Sequence, residues 1–138
     1  MVISKQIKFD CAHMLSDYQG KCANLHGHTY HGMITLVGQV KPETDMLLDY
    51  NVIKDVVDEF DHAIIFSEAK RRNVAETELF HWAETHDMRK VDLLNGKSTA
   101  ENIAQAIASK FLAYPNIERV RIDLSETDGS TACAEASR

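Results

Sequence analysis

Cysteine is scarce in this 138-residue chain and its count is odd: Cys11, Cys22 and Cys133. An odd count in the reducing setting expected below argues against disulfides, and a chain this long buries enough surface to fold without one. Such thiols are free for metal or catalytic work. Two prolines and six glycines exclude collagen-like and low-complexity classes. No apolar run approaches the ~18 residues that span a bilayer. The opening MVISKQIKF lacks an apolar export segment, so the expected setting is cytoplasmic, with no membrane partner. Basic residues are in deficit, 15 Lys+Arg against 21 Asp+Glu. The net charge of −6 argues against a broad nucleic-acid surface, while leaving room for a local basic spot that meets a phosphate ester.

What is present is an ordinary globular composition, 44% apolar and 26% charged. The length suits a single domain over residues 1–138. Residues 2–13 read as a strand, with Ile3, Lys5, Ile7, Phe9, Cys11 and His13 on one face. Residues 26–40 read as a second strand, with His26, His28, Tyr30, Ile34 and Leu36 on one face. A helix is expected over 50–60, with Asp49 as its N-cap and Tyr50, Ile53, Val57 and Phe60 as its stripe. A second helix runs from Thr99 to about Tyr114, with Ser98 and Glu101 at capping-box spacing and Pro115 as its stop. Between them Ser67–Gly96 is polar, with a short helix around 75–82. Residues 117–126 alternate, and Asp128-Gly129 marks a hairpin into a return strand at 130–136. The order β-β-α-α-β-β implies an α+β layout, an antiparallel sheet with two helices on one face.

Four of the seven histidines fall between positions 13 and 31. His26-Gly27-His28 puts two imidazoles side by side on a strand. If the first two strands pair, His13 joins them, and three His with an open position is the catalytic zinc pattern. The alternative is a pair of ordinary strand histidines. His31 has the opposite parity and is not counted as a ligand. Cys22, four residues before His26, is a fourth ligand, an activated thiolate or a small buried residue. Asp61-His62 has the composition of an oriented acid–base pair, although a histidine at a helix C-terminus has a macrodipole explanation too. Glu126 shares the parity of Val120, Ile122 and Leu124, so a carboxylate either meets an N–H-rich ligand on that face or turns to water at the strand end. His81 and His86 lack the HExxH spacing.

These landmarks together resemble the 6-pyruvoyl-tetrahydropterin synthase family: Phe9-Asp10-Cys11-Ala12-His13, Cys22 through His28, Met46 to Tyr50, Asp61-His62, Ser98 to Asn102, and Ser125-Glu126-Thr127. They stand in family order over nearly the whole chain. The Cys-x-x-x-His-Gly-His spacing resembles the 6-carboxy-tetrahydropterin synthase (QueD) branch. The resemblance implies a T-fold (tunnelling fold) whose subunits join into an oligomeric barrel, commonly a homohexamer. It implies Zn2+ on His13, His26 and His28, Cys22 as the proton-abstracting base, and Asp61 and His62 as acid–base partners. Glu126 and Thr99 would bind substrate, and Lys21 is a candidate for phosphate charge. The implied substrate is dihydroneopterin triphosphate, a pterin, and the implied product is a 6-carboxy pterin that feeds queuosine and other 7-deazaguanines. Its rivals are pyruvoyl synthesis from the same substrate and a non-catalytic zinc-binding barrel. The chain departs from the family at Ala63-Ile64-Ile65-Phe66, where Leu-Asn is common, and in its long Ser67–Gly96 segment.

Overall fold

The computed structural model describes all residues from Met1 to Arg138. Its strands are β1 (Val2–His13), β2 (His26–Gly38), β3 (Ala63–Phe66), β4 (Lys90–Asp92), β5 (Ile117–Thr127) and β6 (Ser130–Ser137). Its helices are α1 (Tyr50–Asp58), α2 (Val74–Thr85) and α3 (Ala100–Phe111). The strands form one sheet in the order β4-β3-β1-β2-β5-β6. The α+β class holds, but the sheet is mixed. β1, β2, β5 and β6 are antiparallel neighbours, whereas β3 runs parallel to β1 and β4 parallel to β3.

The two short parallel strands and α2 extend the expected plan. β3 has four residues and β4 three, too few to display an alternating period. The helix expected near 75–82 extends over Val74–Thr85, capped by Asn73, whose side chain accepts from the Glu76 N–H. The second strand ends at Gly38, short of the expected 40.

Alternation places the core on one face. Phe9, Tyr30, Ile34, Leu36, Val120, Ile122 and Leu124 are buried from β1, β2 and β5. α3 covers this face against β5 and β6, while α1 packs on β1 and α3. Ile103, Ile107 and Phe111 of α3 are fully buried, as the stripe required. In α1 the Asp49 carboxylate caps Asn51 N–H as expected. There Val56 joins Ile53 and Val57 in the core, and Tyr50 is half exposed.

The start of α3 differs from expectation. Thr99, one residue after Ser98, is the N-cap, and its hydroxyl accepts from Asn102 N–H. Ser98 is buried, and its hydroxyl donates to the Met14 carbonyl 3.1 Å away. No capping box forms with Glu101. The Asp128-Gly129 hairpin forms as read, with Gly129 at φ 86 supplying the left-handed position that the turn requires. No helix is long and apolar enough to cross a membrane.

Candidate metal centre and adjoining clefts

Antiparallel pairing of β1 with β2 sets His13 opposite His26 and Cys11 opposite His28. The odd positions of β1 and the even positions of β2 therefore share the covered face. Three imidazoles meet there, with ring centroids 4.6 Å (His13–His26), 5.2 Å (His13–His28) and 4.8 Å (His26–His28) apart. One nitrogen from each lies within 4.8 Å of the other two.

Backbone carbonyls aim two of these rings. His13 Nδ1 donates to Ser98 O at 2.5 Å, and His26 Nδ1 donates to Asn24 O at 2.7 Å. In the neutral rings this puts both Nε2 lone pairs toward the cluster centre, where they face each other at 3.1 Å. Two lone pairs at that distance repel unless a cation lies between them. Burial holds the His13 pKa below its ordinary value, and burial does the same for His28. His28 Nε2 is buried and has no hydrogen-bond partner. Neutral imidazoles, Nδ1 held by carbonyls and an orphaned inward nitrogen fit a metal ion. Tetrahedral ligands at ~2.05 Å from zinc stand about 3.3 Å apart, close to the His13–His26 nitrogen spacing.

Glu126 borders the cluster. Its Oε1 lies 3.5 Å from both His13 Nε2 and His28 Nε2, and accepts from the Tyr30 hydroxyl at 2.9 Å. The β5–β6 register shifts between Ser125 and Thr127, and this irregularity falls at Glu126. The inward alternative is thus the one realised, although its side chain keeps 29% exposure. A cleft of about 310 Å³ opens beside it, lined by His13, Thr99, Glu101, Glu126 and Thr131 among others. Thr99 therefore both caps α3 and borders this cleft.

Cys22 sits in a short 3-10 turn, Lys21–Ala23, half-buried. Its carbonyl accepts from Leu15 N–H at 2.9 Å, tying the turn to the end of β1. Its sulfur is not in the three-imidazole cluster, so the fourth-ligand alternative is not realised here. Lys21 lies in the same turn and is exposed. Cys11 is buried beneath the sheet, and burial pushes its thiol up to about 12, which suits a packing role. Cys133 is exposed on β6.

Asp61 and His62 lie beyond α1, which ends at Asp58. The macrodipole explanation therefore fails, because that effect fades within the last turn. His62 adopts φ 57, the left-handed region, with its N–H donating to Asp10 O at 2.6 Å. Outside a helix the neighbours can meet: His62 Nδ1 is 2.9 Å from Asp61 Oδ2. The other carboxylate oxygen, Asp61 Oδ1, accepts from Asp10 N–H at 2.9 Å. That backbone donor, ahead of His62, holds the Asp61 carboxyl below the usual range. Both side chains gather at the Asp10 carboxylate, which points away from His13 across β1. Within one chain the acid–base pair and the imidazole cluster thus face opposite sides of the sheet. A second cleft, about 420 Å³, lies on the His62 side with Asp10 and Thr29. His31 is exposed, as its parity required.

Three contributors were not singled out from sequence: Tyr30 as the donor to Glu126, and Ser98 and Asn24 as carbonyls on the imidazoles. Tyr30 carried a sign, since its parity put a hydroxyl on the same face as His28. Carbonyl acceptors carry none.

A family model described as 6-pyruvoyl tetrahydropterin synthase matches residues 2–137. The chain is 37% identical over 106 residues to the 6-carboxy-5,6,7,8-tetrahydropterin synthase of Rickettsia bellii, covering 73% of this chain and 72% of that protein. It is 31% identical over 136 residues to the protein of the same name from Haemophilus influenzae, covering 93% and 94%. Among solved structures, the 6-pyruvoyl tetrahydropterin synthase of Caenorhabditis elegans aligns with a TM-score of 0.59 at 24% identity, over 99% of this chain and 96% of that one. The Plasmodium falciparum enzyme of that name aligns at 0.60 and 20% identity over 99% of each chain. These two structures establish the T-fold.

Proposed function

Because the chain belongs to the 6-pyruvoyl tetrahydropterin synthase family, we propose that it is a zinc-dependent carbon–carbon lyase. The proposed reaction takes 7,8-dihydroneopterin triphosphate and one water to 6-carboxy-5,6,7,8-tetrahydropterin, acetaldehyde and triphosphate. The observation that carries this reading is the cluster of His13, His26 and His28, two of them aimed by carbonyls, beside a carboxylate held by Tyr30. The curated relatives, named for the 6-carboxy product, favour that branch over the pyruvoyl one.

The residues divide the work. His13, His26 and His28 hold Zn2+, which when bound supplies Lewis-acid polarisation of the substrate's side-chain hydroxyls. Glu126 accepts the N–H edge of the pterin ring, and Tyr30 fixes where that carboxylate points. Thr99 contributes to the same cleft. Cys22 removes a proton from the substrate side chain, and His62, oriented by Asp61, returns one. Since His62 lies across the sheet from the imidazoles of its own chain, a complete site takes Asp61 and His62 from a neighbouring subunit. A homo-oligomer, a hexamer in our reading, is therefore part of the proposal.

The test is mass spectrometry of products from zinc-loaded protein and dihydroneopterin triphosphate, with a trap for acetaldehyde. Trapped acetaldehyde with a 6-carboxy pterin supports the lyase. A pyruvoyl product moves the chain to the sister reaction. No turnover by a folded, zinc-bearing oligomer refutes the substrate and favours a binding role.

A further inference from the structure

The long segment between β3 and α3 brings a buried carboxylate into the protein that the reaction does not use. Glu76, in the first turn of α2, is completely buried. An isolated buried carboxylate is costly unless several donors serve it. Here three do: Ser16 Oγ and Ser67 Oγ donate to Oε1 at 3.1 and 2.9 Å, and Ser67 N–H donates to Oε2 at 3.1 Å. No cation touches it. Instead Arg72 Nε and Lys97 Nζ each donate at 2.7 Å to the carbonyls of Ser67 and Ser16, the two residues that serve Glu76.

The network does not stop there. Ser67 Oγ, with its proton committed to Glu76, accepts from Ser98 N–H at 3.1 Å. Ser98 Oγ donates to Met14 O, so Ser98 is clamped from both its backbone and its side chain. The Ser98 carbonyl is the group that receives His13 Nδ1–H. An unbroken path therefore runs from Glu76 through Ser67 and Ser98 to His13. Its direction is set by the carboxylate, which can only accept. Partners behind a metal-ligating imidazole fix its tautomer and orientation.

We propose that Glu76 is a positioning residue for the metal centre: through Ser67 and Ser98 it fixes the carbonyl that orients the His13 ring. This rests on reading the three imidazoles as a metal site. Glutamine in its place offers one acceptor oxygen and turns an amide N–H2 on Ser67 N–H or on two hydroxyls. The first arrangement sets two donors against each other and unseats Ser67; the second takes the acceptor from the Ser67 hydroxyl proton and breaks the donor order that leads to His13.

The experiment is Co2+ binding to the full-length protein, read by visible absorption and by competition with a chelator well below the unfolding temperature. The variants are Glu76→Gln and the pair Ser67→Thr and Ser67→Val, which share one shape and differ by the hydroxyl. Ala83→Gly, at a buried position of α2 outside the network, measures general loosening of the helix. Glu76→Gln and Ser67→Val should weaken Co2+ binding about 10-fold and shift its absorption bands, as outer-shell losses do. Ser67→Thr should bind as the wild type does, and so should Ala83→Gly, despite lower thermal stability. If Glu76→Gln does not fold, the Thr/Val pair decides. Wild-type affinity and bands in Ser67→Val, or an equal loss in Ala83→Gly, would overturn the proposal. A wild-type protein that binds no Co2+ would instead overturn the metal reading, and this inference with it.

Discussion

Replacing Tyr30 by Phe isolates one hydroxyl at the edge of the site. The ring has no exposed surface and stacks on Phe9 with centroids 5.1 Å apart and planes 10° apart. Phe keeps that packing, so the core is not opened. What is lost is the 2.9 Å hydrogen bond to Glu126 Oε1. Burial, then the neighbouring Cys11 and Glu126, push the phenol well above its ordinary value, so the hydroxyl remains a donor across the working pH range. A hydrogen bond to a charged group contributes roughly 1.5–3 kcal/mol. Glu126 is 29% exposed, so water replaces part of it, and the low end, about 1.5 kcal/mol, applies. No buried group is orphaned, which keeps the loss of global stability to that same amount, about 1.5 kcal/mol, a fall of several degrees in Tm. If Glu126 receives the pterin edge, the loosened carboxylate should raise KM about 10-fold and leave kcat within about twofold. Steady-state kinetics on the pterin triphosphate, paired with thermal unfolding, separate the two effects. An unchanged KM, or a loss confined to kcat, would refute the role given to Glu126.

Cys22→Ala should lower kcat by about 10²–10⁴-fold, the usual scale for a proton-transfer group, while zinc content by elemental analysis stays at the wild-type value. A parallel loss of zinc would make the thiol a ligand. His28→Ala should lose bound metal, whereas His31→Ala, exposed on the opposite face, should retain it; equal metal content in the two would contradict the parity argument. Asp61, held low by the Asp10 N–H and His62, should favour the folded state above the unfolded carboxyl pKa near ~4. That contribution fades as pH falls through the lower folded value. Urea unfolding should therefore show Asp61→Asn less stable than wild type at pH 6, with the gap narrowing toward pH 3. A gap that widens on acidification would reverse the sign.

The sequence displayed what is periodic. Alternation in 2–13, 26–36 and 117–124 placed the inward face of three long strands, and with it the company of His13, His26 and His28. It was silent where packing, not period, decides. β3 and β4 are too short to alternate: β3 owes its pairing to the edge of β1, and β4 in turn to the edge of β3. α2 buries Glu76 and Ala83 while Val74 and Trp82 stand exposed, so its buried face is not its apolar one. Ser98 has the composition of a cap, but the Met14 carbonyl claims its hydroxyl and moves the cap to Thr99. The Asp61-His62 pair could be named from sequence. Its left-handed turn, and its place across the sheet from the imidazoles, could not.

The most direct test of the metal centre is zinc K-edge X-ray absorption on the zinc-loaded protein, with anomalous diffraction to locate the ion. Three nitrogen ligands at ~2.0–2.1 Å from His13, His26 and His28, completed by a light oxygen donor, are expected. A sulfur ligand at ~2.3 Å would close the site through Cys22, and an ion elsewhere or none at all would contradict the account.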